Sequence, residues 1–299
     1  MAAAGRSERG RGLLAAGLSR LVPGPLRALD AELEDRLSKA PLRLNSYGYD
    51  PYGLHPEAAR RLLLPAALLY RHYFRVETHG IEQVPSGRAI LVANHSGQFG
   101  YDGAMLQTAL LLDAEPPRVV RGMAEYLFFR VPFAGISVVR VGGMVGTPEN
   151  CVHMLEGDEC VMVFPEGARG ANKPFRKRYQ LQGFGTGFMR LALETNAPIV
   201  PVGIVGAEEQ QPGFANLESF GKRLRLPSLP ITISQPWFGL PGIAFALPTK
   251  YRLWFGAPMR FEGDPHDDDA GIERRVDQVK DALRGLLARG LAERRHVFY

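Results

Sequence analysis

Cysteine is nearly absent from this chain: its 299 residues include only Cys151 and Cys160. Two cysteines cannot build the disulfide framework that stabilises small secreted domains, so the composition favours a reducing, cytoplasmic setting. Each of the two lies in or near a predicted helix or strand, where a free cysteine usually packs as a small apolar side chain. We therefore expect these thiols in the core rather than as nucleophiles.

The apolar runs of the sequence do not predict a membrane-spanning helix either. The uncharged run from Leu226 to Thr249 is long enough to cross a bilayer, but it contains five prolines, and each interior proline costs a helix about 3 kcal/mol. The run instead predicts an apolar loop with short turns, lying in a lipid interface, covering an apolar ligand or packing on the core. A shorter run, Leu62 to Tyr70, is flanked by arginines and predicts an interfacial helix or a helix docked on the core.

Positive charge is in moderate excess. The net charge is +5 and the pI is near 9.3, which suits nucleic acid or an anionic membrane, but no zinc-finger or RNA-recognition signature supports nucleic acid. One short span concentrates cations, and it is either a solvated basic loop or a funnel for anions. Its members are Arg169, Lys173, Arg176, Lys177 and Arg178.

Two further motifs favour ordinary structural roles. The glycine-rich segment Gly183 to Gly187 lacks the lysine of a phosphate-binding P-loop, so we expect it to open a helix that runs to Thr195. The acidic cluster from Asp264 to Asp269 precedes a helical apolar pattern. Because negative charge stabilises the first turn of a helix, an acidic helix start is favoured over a metal site.

The strongest pattern is a pair of strand ends. An apolar run from Ala89 to Ala93 predicts a buried strand and delivers His95 to its end. A second run, Cys160 to Phe164, ends on a charged turn that holds Glu166 and Arg169. Loops at the ends of rigid strands commonly carry function. We therefore expect the two strand ends to form halves of one site.

His95 needs a partner to act as a base, and Asp102 is the nearest carboxylate. Six residues, 96 to 101, separate the two. On a continuous helix, Asp102 would lie about 10 Å along the axis, too far for a hydrogen bond. The pair can therefore meet only if the intervening residues form a turn, which Gly97 and Gly100 allow.

Three blocks in this order resemble the glycerolipid and lysophospholipid acyltransferases: Asn94 to Asp102, Phe164 to Gly167, and Ala197 to Val202. That family carries a His-x4-Asp motif, an FPEG-type motif with a nearby arginine, and a later VPV strand. The order of blocks agrees from about Val76 to Gly256. Here six residues rather than four separate the histidine and the aspartate, as in longer variants that resemble the diacylglycerol-acyltransferase-like branch.

The resemblance implies an α/β fold with a mixed central sheet flanked by helices and an N-terminal helical extension. We expect residues 1–75 to form that extension, with amphipathic and linker segments, and residues 76–299 to form the acyltransferase domain. The first 45 residues predict an amphipathic contact helix or a disordered arm. The turn-forming stretch Asn45 to Gly53 predicts a linker.

The implied activity is transfer of a fatty acyl group from a thioester to a glycerolipid hydroxyl. The donor would be acyl-CoA or acyl carrier protein, with no further cofactor and no metal. His95 would act as the base and Asp102 would orient it, while Glu166, Gly167 and Arg169 would bind substrate. The sequence has no Gly-x-Ser-x-Gly nucleophile. The expected setting is cytoplasmic, with peripheral or monotopic contact to membrane lipid.

The acceptor stays open at this point. The family often ends a strand on Ile-Asp-Arg, but Gly143 to Thr147 stands in that register here, and Arg140 a few residues earlier is a candidate substitute. Loss of the family arginine favours a neutral mono- or diacylglycerol acceptor over a lysophospholipid. A lipid- or acyl-CoA-binding protein without transfer is a further alternative if His95 and Asp102 lie far apart.

Overall fold

The computed structural model describes residues 23–97, 99–124, 126, 129, 133–216, 230–232, 234–239, 242 and 245–299. Within them, seven strands form one sheet in the order β1-β9-β6-β2-β5-β3-β4, and β7 pairs with β8 alone. The strands are β1 (Glu77–His79), β2 (Ala89–Ala93), β3 (Val120–Ala124), β4 (Met144–Val145), β5 (Cys160–Val163), β6 (Ile199–Val205), β7 (Gly213–Asn216), β8 (Pro230–Thr232) and β9 (Arg252–Phe255).

The sheet is mixed, as the sequence predicts. Strands β2 to β6 run parallel to one another, β9 is antiparallel to β6, and β1 is parallel to β9. The described helices are α1 (Gly24–Lys39), α2 (Pro56–Leu68), α3 (Tyr101–Leu112), α4 (Ala134–Arg140), α5 (Pro148–Glu156), α6 (Ala168–Ala171), α7 (Gly187–Thr195), α8 (Ala207–Gln210), α9 (Gln235–Phe238) and α10 (Asp269–Glu293). Short 3-10 turns occupy Ile81–Gln83 and Phe175–Lys177, and a π turn occupies Leu69–Tyr73.

Strand β2 is buried on both faces because helices cover both sides of the sheet. Its side chains alternate between two apolar clusters. Leu91 faces α1, α2 and α3 together with Leu33 and Leu106, whereas Ile90 faces α5, α7 and α10 together with Leu283. This layering explains why β2 is an unbroken apolar run, and it confirms the flanking helices that the sequence predicts.

The N-terminal segments confirm some expectations and leave others outside the described residues. The predicted contact helix or arm covers the first 45 residues, of which 1–22 lie outside the described ones. Residues 24–39 form α1, a helix that packs on the core through Leu29, Leu33 and Leu37. Residues 41–55 between α1 and α2 contain neither helix nor strand, as expected of a linker. The arginine-flanked run forms α2 and the π turn after it. One side docks on the core through Leu63, Ala67 and Tyr70, and Leu62 is exposed on the other.

Three smaller expectations are confirmed. Asp268 caps α10 by accepting a hydrogen bond from the Gly271 N–H at 2.7 Å, so the acidic cluster is a helix start. The glycine-rich segment leads into α7, which ends at Thr195. Both cysteines are buried, and burial raises the pKa of the Cys151 and Cys160 thiols to about 11.

Nine of the 24 residues of the proline-rich apolar run from 226 to 249 lie outside the described residues. The part that is described contains the three-residue β8 and the single-turn helix α9, in line with a loop that has short turns. None of the helices in the described ranges has both the length and the apolar character needed to cross a membrane.

Candidate active site

His95 and Asp102 meet at the carboxyl end of β2. Gly97 and Gly100 both adopt the left-handed region, with φ of +78° and +66°, so the chain turns sharply before α3 begins at Tyr101. The turn brings Asp102 back to the histidine, with 2.6 Å between His95 Nδ1 and Asp102 Oδ2. The structure therefore meets the geometric condition that the six-residue spacing imposes.

Asp102 is completely enclosed by protein. Besides the His95 ring, its carboxylate accepts hydrogen bonds from the backbone N–H groups of Ser96 and Gly103, each at 2.8 Å. An ionised carboxylate is an acceptor only, so the proton between the two side chains lies on His95 Nδ1. This tautomer leaves Nε2 free to accept a proton, as a general base requires.

The surroundings of His95 raise its pKa above the ordinary value. Burial of the ring lowers the pKa, but the charge of Asp102 and its hydrogen bond raise it by more, and the Glu166 charge adds to the rise. The ring also packs beside the Phe164 ring, with 4.5 Å between centroids. These surroundings therefore favour the imidazolium more than water does, which suits a base that must take up a proton during a reaction.

Asn94 anchors this loop to the neighbouring strand. Its Nδ2 donates to the Ile204 carbonyl at 3.0 Å, and its Oδ1 accepts from the Ile204 N–H at 2.7 Å. The side chain thus takes over the pairing of a strand backbone just where β2 ends. As a result, the position of His95 is fixed relative to β6.

Glu166 joins the second strand end to the first. Its buried carboxylate accepts hydrogen bonds from the His95 N–H at 3.0 Å and the Gln182 N–H at 2.7 Å. The side chain therefore holds the histidine loop, and its oxygens are occupied by protein donors. Gly170 makes this approach possible, because a Cβ there would lie 2.6 Å from Glu166 Cβ and 3.1 Å from His95 Cβ.

Lys173 corrects the expectation that it belongs to an exposed basic loop. Its side chain is buried, and its Nζ lies 2.9 Å from Glu208 and 3.5 Å from Glu166. Burial raises the pKa of Glu208, and the charge of Lys173 opposes this. Sequence reasoning missed Glu208 although it follows β6, a third predicted strand of this edge. The same rule of polar residues after a buried strand could have found it.

Of the other predicted site residues, Arg169 and Gly167 lie on the loop of the second strand end, whereas Arg140 lies elsewhere. Arg169 is exposed and forms no ion pair within the described part of the chain, and its guanidinium lies beside Gly183. Gly167 precedes α6 with open space around it. Arg140 is not brought to this group: its Nη1 donates to the Gly53 carbonyl at 2.6 Å, in the linker before α2.

The described ranges contain no cluster of three or more His, Cys, Asp or Glu side chains that could hold a metal ion. The polar groups that this edge of the sheet presents include one histidine hydrogen-bonded to a carboxylate, and the exposed cation Arg169 lies on the adjoining loop.

Comparison with known proteins agrees with this fold. The acyltransferase family model matches residues 75–205. An uncharacterized protein of Mycobacterium leprae is 35% identical over 259 residues, which cover 85% of this chain and 70% of that protein. A chicken protein described as a DGAT1/2-independent enzyme synthesizing storage lipids is 26% identical over 216 residues, 71% of this chain and 59% of that protein.

A solved structure shares the fold. The 1-acyl-sn-glycerophosphate (LPA) acyltransferase PlsC from Thermotoga maritima superimposes with a TM-score of 0.52 at 17% identity, covering 96% of this chain and 90% of that one. The fold is therefore that of the α/β acyltransferases. The chain belongs to the acyltransferase family, and it is an acyltransferase.

Proposed function

We propose that this enzyme is an O-acyltransferase that moves a fatty acyl group from a thioester donor to the hydroxyl of a lysophospholipid-like glycerolipid. The single observation that carries the proposal is the 2.6 Å contact between His95 Nδ1 and Asp102. It supports a base whose Nε2 is free, and it removes the geometric reason for a protein that binds without transfer.

In the proposed mechanism, His95 Nε2 takes the proton of the acceptor hydroxyl as its oxygen attacks the thioester carbonyl. The tetrahedral intermediate then expels the thiolate, which receives that proton from the His95 imidazolium. Asp102 holds the ring and stabilises the imidazolium, as the carboxylate of a catalytic triad does. The products are the ester and a free thiol, and no protein nucleophile is acylated. General-base help of this kind gives about 10²- to 10⁴-fold acceleration.

The second strand end would position the histidine loop and bind the substrate. Because its carboxylate is occupied by protein donors, we assign Glu166 to holding the histidine loop rather than to contacting substrate. Arg169 and the open turn at Gly167 would receive an anion, since a planar and permanently charged guanidinium suits a phosphate. We do not include Arg140, because its contacts lie in the linker.

The donor would be acyl-CoA or acyl carrier protein, and the enzyme would contact membrane lipid peripherally or monotopically on the cytoplasmic side. We also propose the division into an extension, residues 1–75, and an acyltransferase domain, residues 76–299. The match of the family model from residue 75 supports that boundary.

A neutral mono- or diacylglycerol acceptor is the second candidate. The family often has Ile-Asp-Arg in the register of β4, Met144–Val145. This chain has no arginine from Gly143 to Thr147, so the family arginine is missing there. The chicken relative is described as an enzyme that synthesizes storage lipids. The two candidates differ in one chemical respect, the charge of the acceptor, and Arg169 is the residue that would sense it.

The test is acceptor-dependent thiol release from oleoyl-CoA by the purified chain in detergent micelles. Lysophosphatidate, monoacylglycerol and diacylglycerol would be offered separately to wild type and His95→Ala. His266→Ala is the matched control, because His266 is exposed and distant in sequence from both strand ends. We expect release that the control retains and His95→Ala loses.

The acceptor that supports release decides between the two candidates. A preference for lysophosphatidate would support the phosphorylated class, and a preference for the neutral lipids would support the second. Equal release by wild type and His95→Ala would contradict the mechanism. Release with an acyl carrier protein donor but not with oleoyl-CoA would fix the donor instead.

A further inference from the structure

An exposed aromatic group lies in the segment that leads from β8 to β9. Trp237 is 82% exposed, and Phe238 and Phe245 are about half exposed, with their rings stacked at 5.1 Å between centroids. Large apolar side chains gathered at a surface in this way commonly mark an interaction site. We call these three residues the aromatic knob.

The chain returning from the knob is tied to the histidine loop. The Leu247 N–H donates to the Gln210 carbonyl at 2.7 Å, two residues after Phe245. The Gln210 side chain in turn packs against Gly97, where an added Cβ would lie 2.7 Å from its Nε2. Since Gly97 follows His95 by two residues, the knob is anchored beside the proposed base.

Three exposed cations adjoin the same region. Arg176, Lys177 and Arg178 are exposed, and within the described residues none of them forms an ion pair with an acidic side chain. Their turn packs against β7, which pairs with β8, the strand that leads into the knob. We call these three residues the basic turn.

We propose that the aromatic knob and the basic turn together form a docking surface for an anionic lipid bilayer, beside the active site. The inference rests on the proposed function, which takes its acceptor from lipid. In this arrangement the knob inserts at the headgroup level and the basic turn contacts the anionic headgroups. The acceptor hydroxyl can then reach His95 without leaving the membrane.

The composition of the surface favours a bilayer over a protein partner. Tryptophan and phenylalanine partition into the membrane interface, and lysine and arginine are attracted to an anionic leaflet. Acidic residues, which a bilayer would repel, are scarce in the surrounding sequence: between Gln210 and Lys250 only Glu218 is acidic. This combination is that of an interfacial lipid-binding surface.

Tryptophan fluorescence gives a direct readout, because the chain has only two tryptophans. Trp254 is buried and stacks on His79, so a change on vesicle binding reports Trp237. Purified protein would be mixed with phosphatidylcholine vesicles, with and without phosphatidylglycerol. We expect a blue shift and co-sedimentation with the anionic vesicles, weakened by salt because surface charges are screened.

Two variants test the two halves of the surface. Trp237→Ala should weaken vesicle binding about tenfold, because a large apolar side chain no longer leaves water. Arg176→Gln with Lys177→Gln should weaken binding to anionic vesicles about thirtyfold, since each cation near such a surface contributes a factor of about 5.5 and the two factors multiply. The matched controls are Tyr47→Ala, which is also 82% exposed but lies in the linker, and Arg274→Gln on α10.

The outcomes separate this proposal from the proposed function. His95→Ala should bind vesicles like wild type, and Trp237→Ala should keep transfer between water-soluble short-chain substrates. Normal transfer without vesicle binding would overturn the docking surface alone. So would an equal loss of vesicle binding in Trp237→Ala and Tyr47→Ala. Vesicle binding without any transfer would overturn the function and leave the surface standing. Binding that ignores phosphatidylglycerol, or specific capture of a protein partner by the knob, would also overturn the proposal.

Discussion

Asp102 and Glu166 are both enclosed carboxylates at strand ends, and each accepts a hydrogen bond from His95. Asp102 binds the imidazole ring at 2.6 Å, whereas Glu166 binds the backbone N–H at 3.0 Å. Besides the ring, Asp102 receives the backbone N–H groups of Ser96 and Gly103, whereas Glu166 shares the buried cation Lys173 with Glu208.

The difference teaches that burial alone does not identify a chemical role. A carboxylate on the ring changes the proton affinity of the base, because it is hydrogen-bonded to the group that titrates. A carboxylate on the backbone fixes where the base lies and acts on the proton only through its distant charge. Each of the following substitutions separates these two effects.

The largest effect is expected from Asp102→Asn. Loss of the charge on Nδ1 should lower kcat by at least about 10²-fold. Because Asp102 raises the pKa of His95, and the base works only when deprotonated, the wild-type rate should rise with pH through that raised value. In the variant, this rise of the rate with pH (the pH limb) should occur at lower pH. The measurement is the pH profile of kcat, with the exposed Asp277→Asn as control.

Gly170→Ala tests whether the close approach of the two strand ends matters. The new Cβ would lie 2.6 Å from Glu166 Cβ and 3.1 Å from His95 Cβ, so one of them must shift. A displacement of about 1 Å can cost about 10²-fold in rate, and we expect a loss of that order in kcat. Gly285→Ala is the control, because it has open space on α10 and should raise stability by about 0.4–1 kcal/mol.

Glu166→Gln keeps the shape of the side chain and removes its charge. We expect about a tenfold loss of kcat, since one amide oxygen must replace two carboxylate oxygens as acceptor. The pH limb should shift less than in Asp102→Asn, because the charge of Glu166 is a smaller influence on the pKa of His95. A shift as large as that of Asp102→Asn would contradict the division of roles.

Arg169→Gln should have the smallest and most selective effect. The guanidinium has no acidic partner within the described residues, so its removal should leave folding and kcat nearly unchanged. KM for lysophosphatidate should rise severalfold, whereas KM for monoacylglycerol should not change, since only the former is an anion. Arg260→Gln on the exposed surface is the control, and equal changes for both acceptors would contradict a phosphate contact.

Local patterns predicted the frame of the site. The apolar runs of β2, β5 and β6 define strands without tertiary information, and the glycines at 97 and 100 indicated the turn that Asp102 needs. The ion pair between Lys173 and Glu208 could not be predicted in this way, because Lys173 lies beyond the strand end, after α6, and only the fold brings it to Glu208. Lys173 therefore looked like one more surface cation.

Arg140 illustrates the opposite error, a residue that was expected at the site but lies away from it. Its spacing from the family arginine suggested a place at the site, but α4 carries it to the Gly53 carbonyl and the Tyr49 ring. Sequence distance along a helix does not reveal which neighbour the helix end will meet. The roles assigned to His95 and Asp102 stay predictions that the substitutions above address.

The central claim is that Asp102 sets the proton affinity of a base, and its most direct test is an NMR titration of the His95 imidazole. Wild type and Asp102→Asn would be titrated with His95 assigned by comparison with His95→Ala. We predict a pKa above the ordinary histidine value in wild type and a clearly lower one in Asp102→Asn, where the Asp102 charge no longer offsets the burial of the ring. Equal pKa values in the two proteins would contradict the account.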